Sequence, residues 1–301
     1  MNLVLLCKRH NHRKVLDILA AFRNEGLSVG GIVAAAPSPP PASVRTIARE
    51  LHPLKLQRRL RVTVARVRRS THQRADMSPN PPSTAQEGRP AAGNANNGRL
   101  PQVENESVLS GCQTIDDYVQ QFHTPLREVH DLNSAEAEDA IRTLQPDLLI
   151  LGGAPIIRSH ILALPQHGTI NVHQGELPAM RGMNVAEWSV FRGRSVIVTV
   201  HLVDQGVDTG AILHRETLDV SHCRTIAEMR RMLSPLQHRV LARVTKSYSQ
   251  GEITPIQQSS PDGLQYYVMH DKLRRVVEHK LTRGFKPESL NHPHSHPVPS
   301  L

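Results

Sequence analysis

LVLLCKRHNHRKVLDILAAFRNEGLSVGGIVAAA, residues 3–36, decides the fold. Residues 3–7 form an unbroken apolar run, the pattern of a strand buried on both faces. Over residues 14–24 the apolar side chains Val15, Leu16, Ile18, Leu19 and Phe22 recur at helical spacing, and Gly26 is placed to end that helix. Residues 29–35 are a second apolar run. Strand, helix and strand of these lengths make a βαβ unit, which opens a parallel sheet.

Outward from this unit, prolines at 37–41 break the pattern and a basic amphipathic segment follows over residues 44–69. The net charge of the 301-residue chain is +9. Between Arg45 and Arg74 the only acid is Glu50, and this stretch alone accounts for the whole excess. Such a segment can serve nucleic acid or an anionic membrane surface. Leu54, Leu56, Leu60 and Val64 are spaced for one helix face, so the favoured reading is an amphipathic helix covering the sheet, with peripheral membrane contact as the alternative. Nucleic acid is not expected as a partner. Residues 71–99 are rich in Pro, Asn, Ser and Gly and nearly lack large apolar residues. Nothing there offsets the entropy of ordering, so a disordered insertion is expected over 70–106.

Farther along, the patterns predict helices over 115–122, from an Asn133-Ser134 cap through residue 144, over 225–248 and over 266–281. Strands are expected at 128–129, 148–151, 170–172 and 196–202. The expected organisation is a catalytic domain over 1–255, a C-terminal extension over 256–281 and a disordered tail over 282–301. The fold class is α/β, a Rossmann-like and mostly parallel sheet with helices on both faces.

Three widely spaced cysteines, Cys7, Cys112 and Cys223, show neither metal-ligand spacing nor a disulfide framework, which suits a reducing compartment. The N-terminal apolar run is too short for a signal peptide, and no stretch is long enough for a transmembrane helix. A cytoplasmic location is the corresponding expectation. His292, His294 and His296 alternate with prolines and lack a cysteine partner, so no metal is expected. The oligomeric state is not readable.

The chemistry concentrates in GTINVHQGELPAMRGMNVAEWSVFRGRSVIVTVHLVDQGVDTGAIL, residues 168–213. Asn171 and His173 are two apart on an expected strand and so share a face. Asp208 lies between Gly206 and Gly210 in a turn after the 196–202 strand. It reaches His173 only if the two strands are neighbours. A carboxamide and an imidazolium can donate to the oxyanion formed when an amine attacks a carbonyl carbon. A carboxylate can hold the imidazole protonated or relay a proton. Trp188 is expected to pack in the core, with a place in an acceptor pocket as the alternative.

Four pieces together resemble the formyltransferase family: PDLLILGG from Pro146, GTINVH from Gly168, LPAMRG from Leu177 and VDTG from Val207. The resemblance covers residues 107–255 well and 1–36 more loosely. It implies N10-formyltetrahydrofolate as donor, a small-molecule amine as acceptor, and a catalytic trio at Asn171, His173 and Asp208. It also implies donor contacts, largely through backbone, at Ala154, Pro155, Ile156, Ile157 and Arg158, and at Val203, Asp204, Gly206 and Val207. A hydrolase releasing formate from the same donor, or a catalytically weak binding relative, are the alternatives.

The chain departs from the family in three places. The usual SLLP reads Gly175-Glu176-Leu177-Pro178. The loop after the first strand, residues 8–12, holds no glycine where the purine enzyme has a glycine-rich phosphate cradle, although Lys8 and Arg9 at a helix start attract anions. Residues 251–301 are fewer than the C-terminal barrel of the tRNA enzyme needs. These departures count against glycinamide ribonucleotide and tRNA as acceptors.

Overall fold

The apolar runs pair into one seven-stranded sheet. The computed structural model describes residues 1–37, 108–258 and 263–288. The described residues belong to one compact unit, formed by Met1–Pro37 and Val103–Leu301. The basic segment 44–69, the insertion 70–106 and His292, His294 and His296 lie outside the described residues.

The first strand, β1 (Leu3–Lys8), is followed by α1 (His12–Asn24) and β2 (Val29–Ala35). Then come α2 (Ile115–Phe122), β3 (Leu126–Val129), α3 (Ala135–Leu144), β4 (Leu148–Gly152), α4 (Ser159–Leu162) and β5 (Thr169–His173). The second half holds β6 (Met180–Gly182), α5 (Val185–Phe191), β7 (Val196–Leu202), β8 (Ile212–Leu218), α6 (Ile226–Ser249), β9 (Leu264–Tyr266) and α7 (Asp271–Thr282). The large sheet runs β3-β2-β1-β4-β5-β7-β8. Strands β3 to β5 are parallel, and β7 and β8 are antiparallel additions at one edge. The strand order reverses between β1 and β4, the place where open α/β sheets bind ligands at the strand C-termini.

The two-residue period of a strand explains the layers. Leu3, Leu5 and Cys7 of β1 join Leu148 and Ile150 of β4 in a core with α1 and α6, whereas Val4, Leu6, Leu149 and Leu151 join Ala137 and Ile141 of α3 and Ile161 of α4 on the other face. Each central strand is apolar throughout because it feeds both cores. Gly26 adopts φ +75° and the Leu27 N–H reaches the Phe22 carbonyl at 2.8 Å, a Schellman ending that stops α1 where expected. Helix α2 carries a capping box from Thr114 and Asp117, and Ser134 caps α3 through the Ala137 N–H.

Two expectations require correction. The last helix begins at Asp271, not 266, because residues Leu264–Tyr266 form β9 and pair in parallel with β6. Residues 283–288, expected in a disordered tail, are anchored at two points: Phe285 is buried in the core and the Glu288 N–H bonds the Gly193 carbonyl. The short β6 and the polar β8 carry no pattern strong enough to announce a strand. Among the described residues no helix is long and apolar enough to cross a membrane.

Candidate active site

Strand β5 places Asn171 and His173 on the same face, opposite that of Ile170 and Val172, which pack toward α6. Antiparallel pairing sets His201 of β7 directly across from Asn171 and Thr199 across from His173. The β7–β8 connection then folds back over β5. It brings Asp208 Oδ2 to 3.4 Å from His173 Nδ1 and Asp208 Oδ1 to 3.7 Å from His201 Nε2. The three residues expected from sequence thus meet, and His201 joins them as a fourth.

The hydrogen bonds define each group's orientation. His173 Nε2 donates to the Met180 carbonyl at 2.8 Å, which leaves Nδ1 facing the carboxylate. His201 Nδ1 donates to the Leu202 carbonyl at 2.7 Å, so its Nε2 accepts from Asn171 Nδ2 at 3.3 Å. That contact turns the Asn171 amide nitrogen inward and leaves its second N–H to donate. The Gly182 N–H donates to Asp208 Oδ2 at 3.0 Å. Asp208 itself stands at φ +56°, a left-handed conformation costing about 1–2 kcal/mol for a side-chain-bearing residue. Gln258 holds it there by donating to the carbonyls of Asp208 at 3.1 Å and Gly210 at 2.6 Å.

Strand β6 supplies both backbone partners, the Met180 carbonyl and the Gly182 N–H, and it is itself held by β9. The Met183 N–H bonds the Tyr266 carbonyl at 2.9 Å, and a Cβ on Gly182 would stand 2.2 Å from that same oxygen. Trp188, partly buried and packed against the core as expected, also fastens this extension, donating to the Tyr267 carbonyl at 3.0 Å and lying against the Tyr266 ring. At the SLLP departure, a Cβ on Gly175 would come within 2.8 Å of His173 Nε2 and the Met180 oxygen. The absent side chain leaves their hydrogen bond room.

Burial pushes the imidazolium forms of His173 and His201 down, against the opposing pull of Asp208. Burial also lowers His214, and it takes His238 to about 4, with Lys14 adding to the shift. An unfolded histidine titrates near about 6.5. Below that pH the unfolded chain takes up protons that these four buried rings refuse, so their stabilising contribution is full above it and is lost as pH falls. The melting temperature is therefore expected to drop between about pH 7.5 and about pH 5. A flat profile would show that these rings are not held neutral by the fold.

Residues 102–245 match a family model described as formyl transferase. Methionyl-tRNA formyltransferase of Anaeromyxobacter dehalogenans is 35% identical over 159 residues, covering 49% of this chain and 50% of that protein. The Clostridium perfringens enzyme of the same name is 26% identical over 164 residues, covering 52% and 53%. This part of the chain is thus similar to the formyltransferase family. The chain spans about half the length of the curated relatives it matches. At the level of fold, it is similar to glycinamide ribonucleotide transformylase 1 of Symbiobacterium toebii, with TM-score 0.50 and 14% identity over 85% of this chain and 95% of that one.

Within the matched span the two segments expected to contact a donor meet at one core, to which Ala154, Ile157 and Val203 contribute. Ile157 points into that core. Ile156 and Val207 stand exposed, at 77% and 40%. Asn133 already engages the Ile156 carbonyl at 3.0 Å and the Arg158 N–H at 2.7 Å, which fixes the first segment. Asp204 accepts from the Gly206 N–H and the Thr209 hydroxyl, which fixes the second. Gly210 packs against its own chain, since a Cβ there would lie 1.9 Å from the Leu202 carbonyl oxygen. Pro155 lies half-buried between Ala154 and Ile156.

His201 is the site residue that motif reading passed over. The signal was a histidine near the end of an otherwise apolar strand, VIVTVHL. Its position opposite Asn171 depends on register, which the motif does not carry.

Proposed function

We propose that this chain transfers a formyl group from N10-formyltetrahydrofolate to an amine. The observation that carries the reading is the contact of His173, Asp208, Asn171 and His201 within the span matched by the family model. The exposed Ile156 and Val207, on two segments that share one apolar cluster, are suited to cover a flat heterocycle such as a pterin, while neighbouring backbone groups read its edge. Bound there, the donor supplies an electrophilic formyl carbon and a nitrogen leaving group.

Burial disfavours the charged form of His173, whose Nε2–H lies on the Met180 carbonyl. As the amine attacks, Asp208 takes its proton and passes it to His173 Nδ1. The imidazolium Nδ1–H and the second N–H of Asn171 then face the developing oxyanion. His201 keeps the Asn171 amide in that orientation. When the carbon–nitrogen bond to N10 breaks, His173 returns the proton to the departing nitrogen, and Asn171 is ready for the next turnover. The products are a formamide and tetrahydrofolate. Asn171, His173 and Asp208 are the proposed catalytic residues, and residues 154–158 and 203–207 the proposed donor segments.

The test is incubation with N10-formyltetrahydrofolate and a panel of amines, following tetrahydrofolate by absorbance and formamide by mass. Equimolar tetrahydrofolate and formamide support the reading. Formate without formamide would turn it to a hydrolase.

A further inference from the structure

Gln258 lies beyond the span matched by the family model, which ends at residue 245, yet it reaches the reaction centre. The sheet sets its place. Ile256 and Ile212 form an antiparallel bridge in which each N–H donates to the other's carbonyl at 2.8 Å. Two residues further along that register, 258 stands opposite 210. From there Gln258 Nε2 donates to the Gly210 carbonyl at 2.6 Å and to the Asp208 carbonyl at 3.1 Å. A carboxamide nitrogen has two hydrogens, and this clamp uses both. Gln258 Oε1 is buried without a hydrogen-bond partner. The side chain thus satisfies the turn and leaves its own oxygen unsatisfied.

The turn has need of such a clamp. Four described residues other than glycine have positive φ: His123, Gln145, Asn184 and Asp208. His123 and Gln145 are the C-caps of α2 and α3, and Asn184 is the N-cap of α5, so each stands where a helix ends or begins. Asp208, at φ +56°, stands between two strands with no helix beside it in sequence. A non-glycine residue keeps such a conformation only where its surroundings impose it. The Asp208 side chain has one backbone partner, the Gly182 N–H. Asp204 ties down the Gly206 N–H and the Thr209 hydroxyl on either side. The Asp208 carbonyl is held by Gln258. With that carbonyl fixed, the backbone directs the carboxylate to His173 Nδ1 at 3.4 Å and to His201 Nε2 at 3.7 Å.

We propose that Gln258 is a positioning residue for formyl transfer: by clamping the Asp208 and Gly210 carbonyls it aims the Asp208 carboxylate at His173. That this serves transfer rests on the formyl-transfer reading; that Gln258 aims Asp208 at His173 does not. The donor segment 203–207 has its own fastening through Asp204, so loss of Gln258 reaches the proton path and spares donor binding. The chain beyond the family span, which also holds β6 through β9, therefore completes the catalytic constellation.

Full-chain Gln258→Met and Gln258→Glu test this. The first keeps the length of the side chain without its donors, and the second keeps its shape with acceptors in their place. Thermal melting verifies the fold of each. Single-turnover transfer should fall about 10–10²-fold in both, the scale of loss when a reacting group is displaced by about 1 Å. Donor affinity should stay within about twofold of the parent. Asp208→Asn and the double variant Asp208→Asn/Gln258→Met should transfer at equal rates, because a residue that acts through the carboxylate has nothing to act on once it is gone. NMR of the His173 ring, assigned by loss of its signal in His173→Ala, needs no acceptor. That signal should be displaced in Gln258→Met in the same direction as in Asp208→Asn. A folded Gln258→Met with the parent's transfer rate or an undisplaced His173 signal would overturn the proposal. So would additive losses in the double variant, or a fall in donor affinity matching the fall in rate. A displaced His173 signal in a protein that passes formyl to no amine would leave the aiming of Asp208 standing and remove the proposed reaction.

Discussion

Replacing His173 with alanine is expected to lower single-turnover formyl transfer by at least about 10²–10³-fold, the usual loss when one oxyanion donor is removed. The larger end is expected here, because the same ring also carries the proton in the proposed path. Donor affinity should change little, since the segments expected to touch the pterin, 154–158 and 203–207, are fixed by Asn133 and Asp204 and not by His173. The variant leaves the Met180 carbonyl without its imidazole partner, at a cost of about 1–3 kcal/mol in stability. Melting and donor titration therefore accompany the rate measurement. A stable, donor-binding variant with near-parent turnover would remove His173 from the mechanism.

Asp208→Asn should produce a comparable loss, about 10²–10⁴-fold in the chemical step. The substitution keeps the side chain's size. Its amide oxygen can still accept the Gly182 N–H, so β6 stays in place. The amide nitrogen then takes the Oδ1 position toward His201 Nε2, and the atom left beside His173 Nδ1 is an amide oxygen that cannot take a proton from the amine and pass it on. Loss of the carboxylate also removes the pull that opposes burial at His173, so the ring becomes still harder to protonate. Rate and donor affinity should separate, with kcat falling and donor affinity nearly unchanged. Parallel losses in both would mean that Asp208 shapes the donor pocket and does not move a proton.

Both experiments probe residues that could be named from sequence, and the reason is local. Asn171 and His173 share a face because they are two apart on a strand, and Asp208 is marked by its flanking glycines. The βαβ opening was equally legible, since each central strand is apolar at every position and α1 ends at a glycine in the left-handed region. What stayed hidden depends on distant pairing. His201 enters the site only through the register of β5 against β7. Met180 and Gly182 act through backbone atoms of a three-residue strand that exists because β9, some 80 positions on, pairs with it. Gln258 reaches the Asp208 turn from beyond the family match.

The central claim is tested most directly by donor labelled in the formyl group. The parent protein is mixed with an excess of amine, and the fate of the label is followed in one turnover. The account predicts that the label appears in a formamide in step with tetrahydrofolate, and that Asn171→Ala, His173→Ala and Asp208→Asn each suppress its transfer while still binding the donor. Label released as formate, label transferred at equal rates by parent and variants, or label retained on a tightly bound donor with every amine would contradict it.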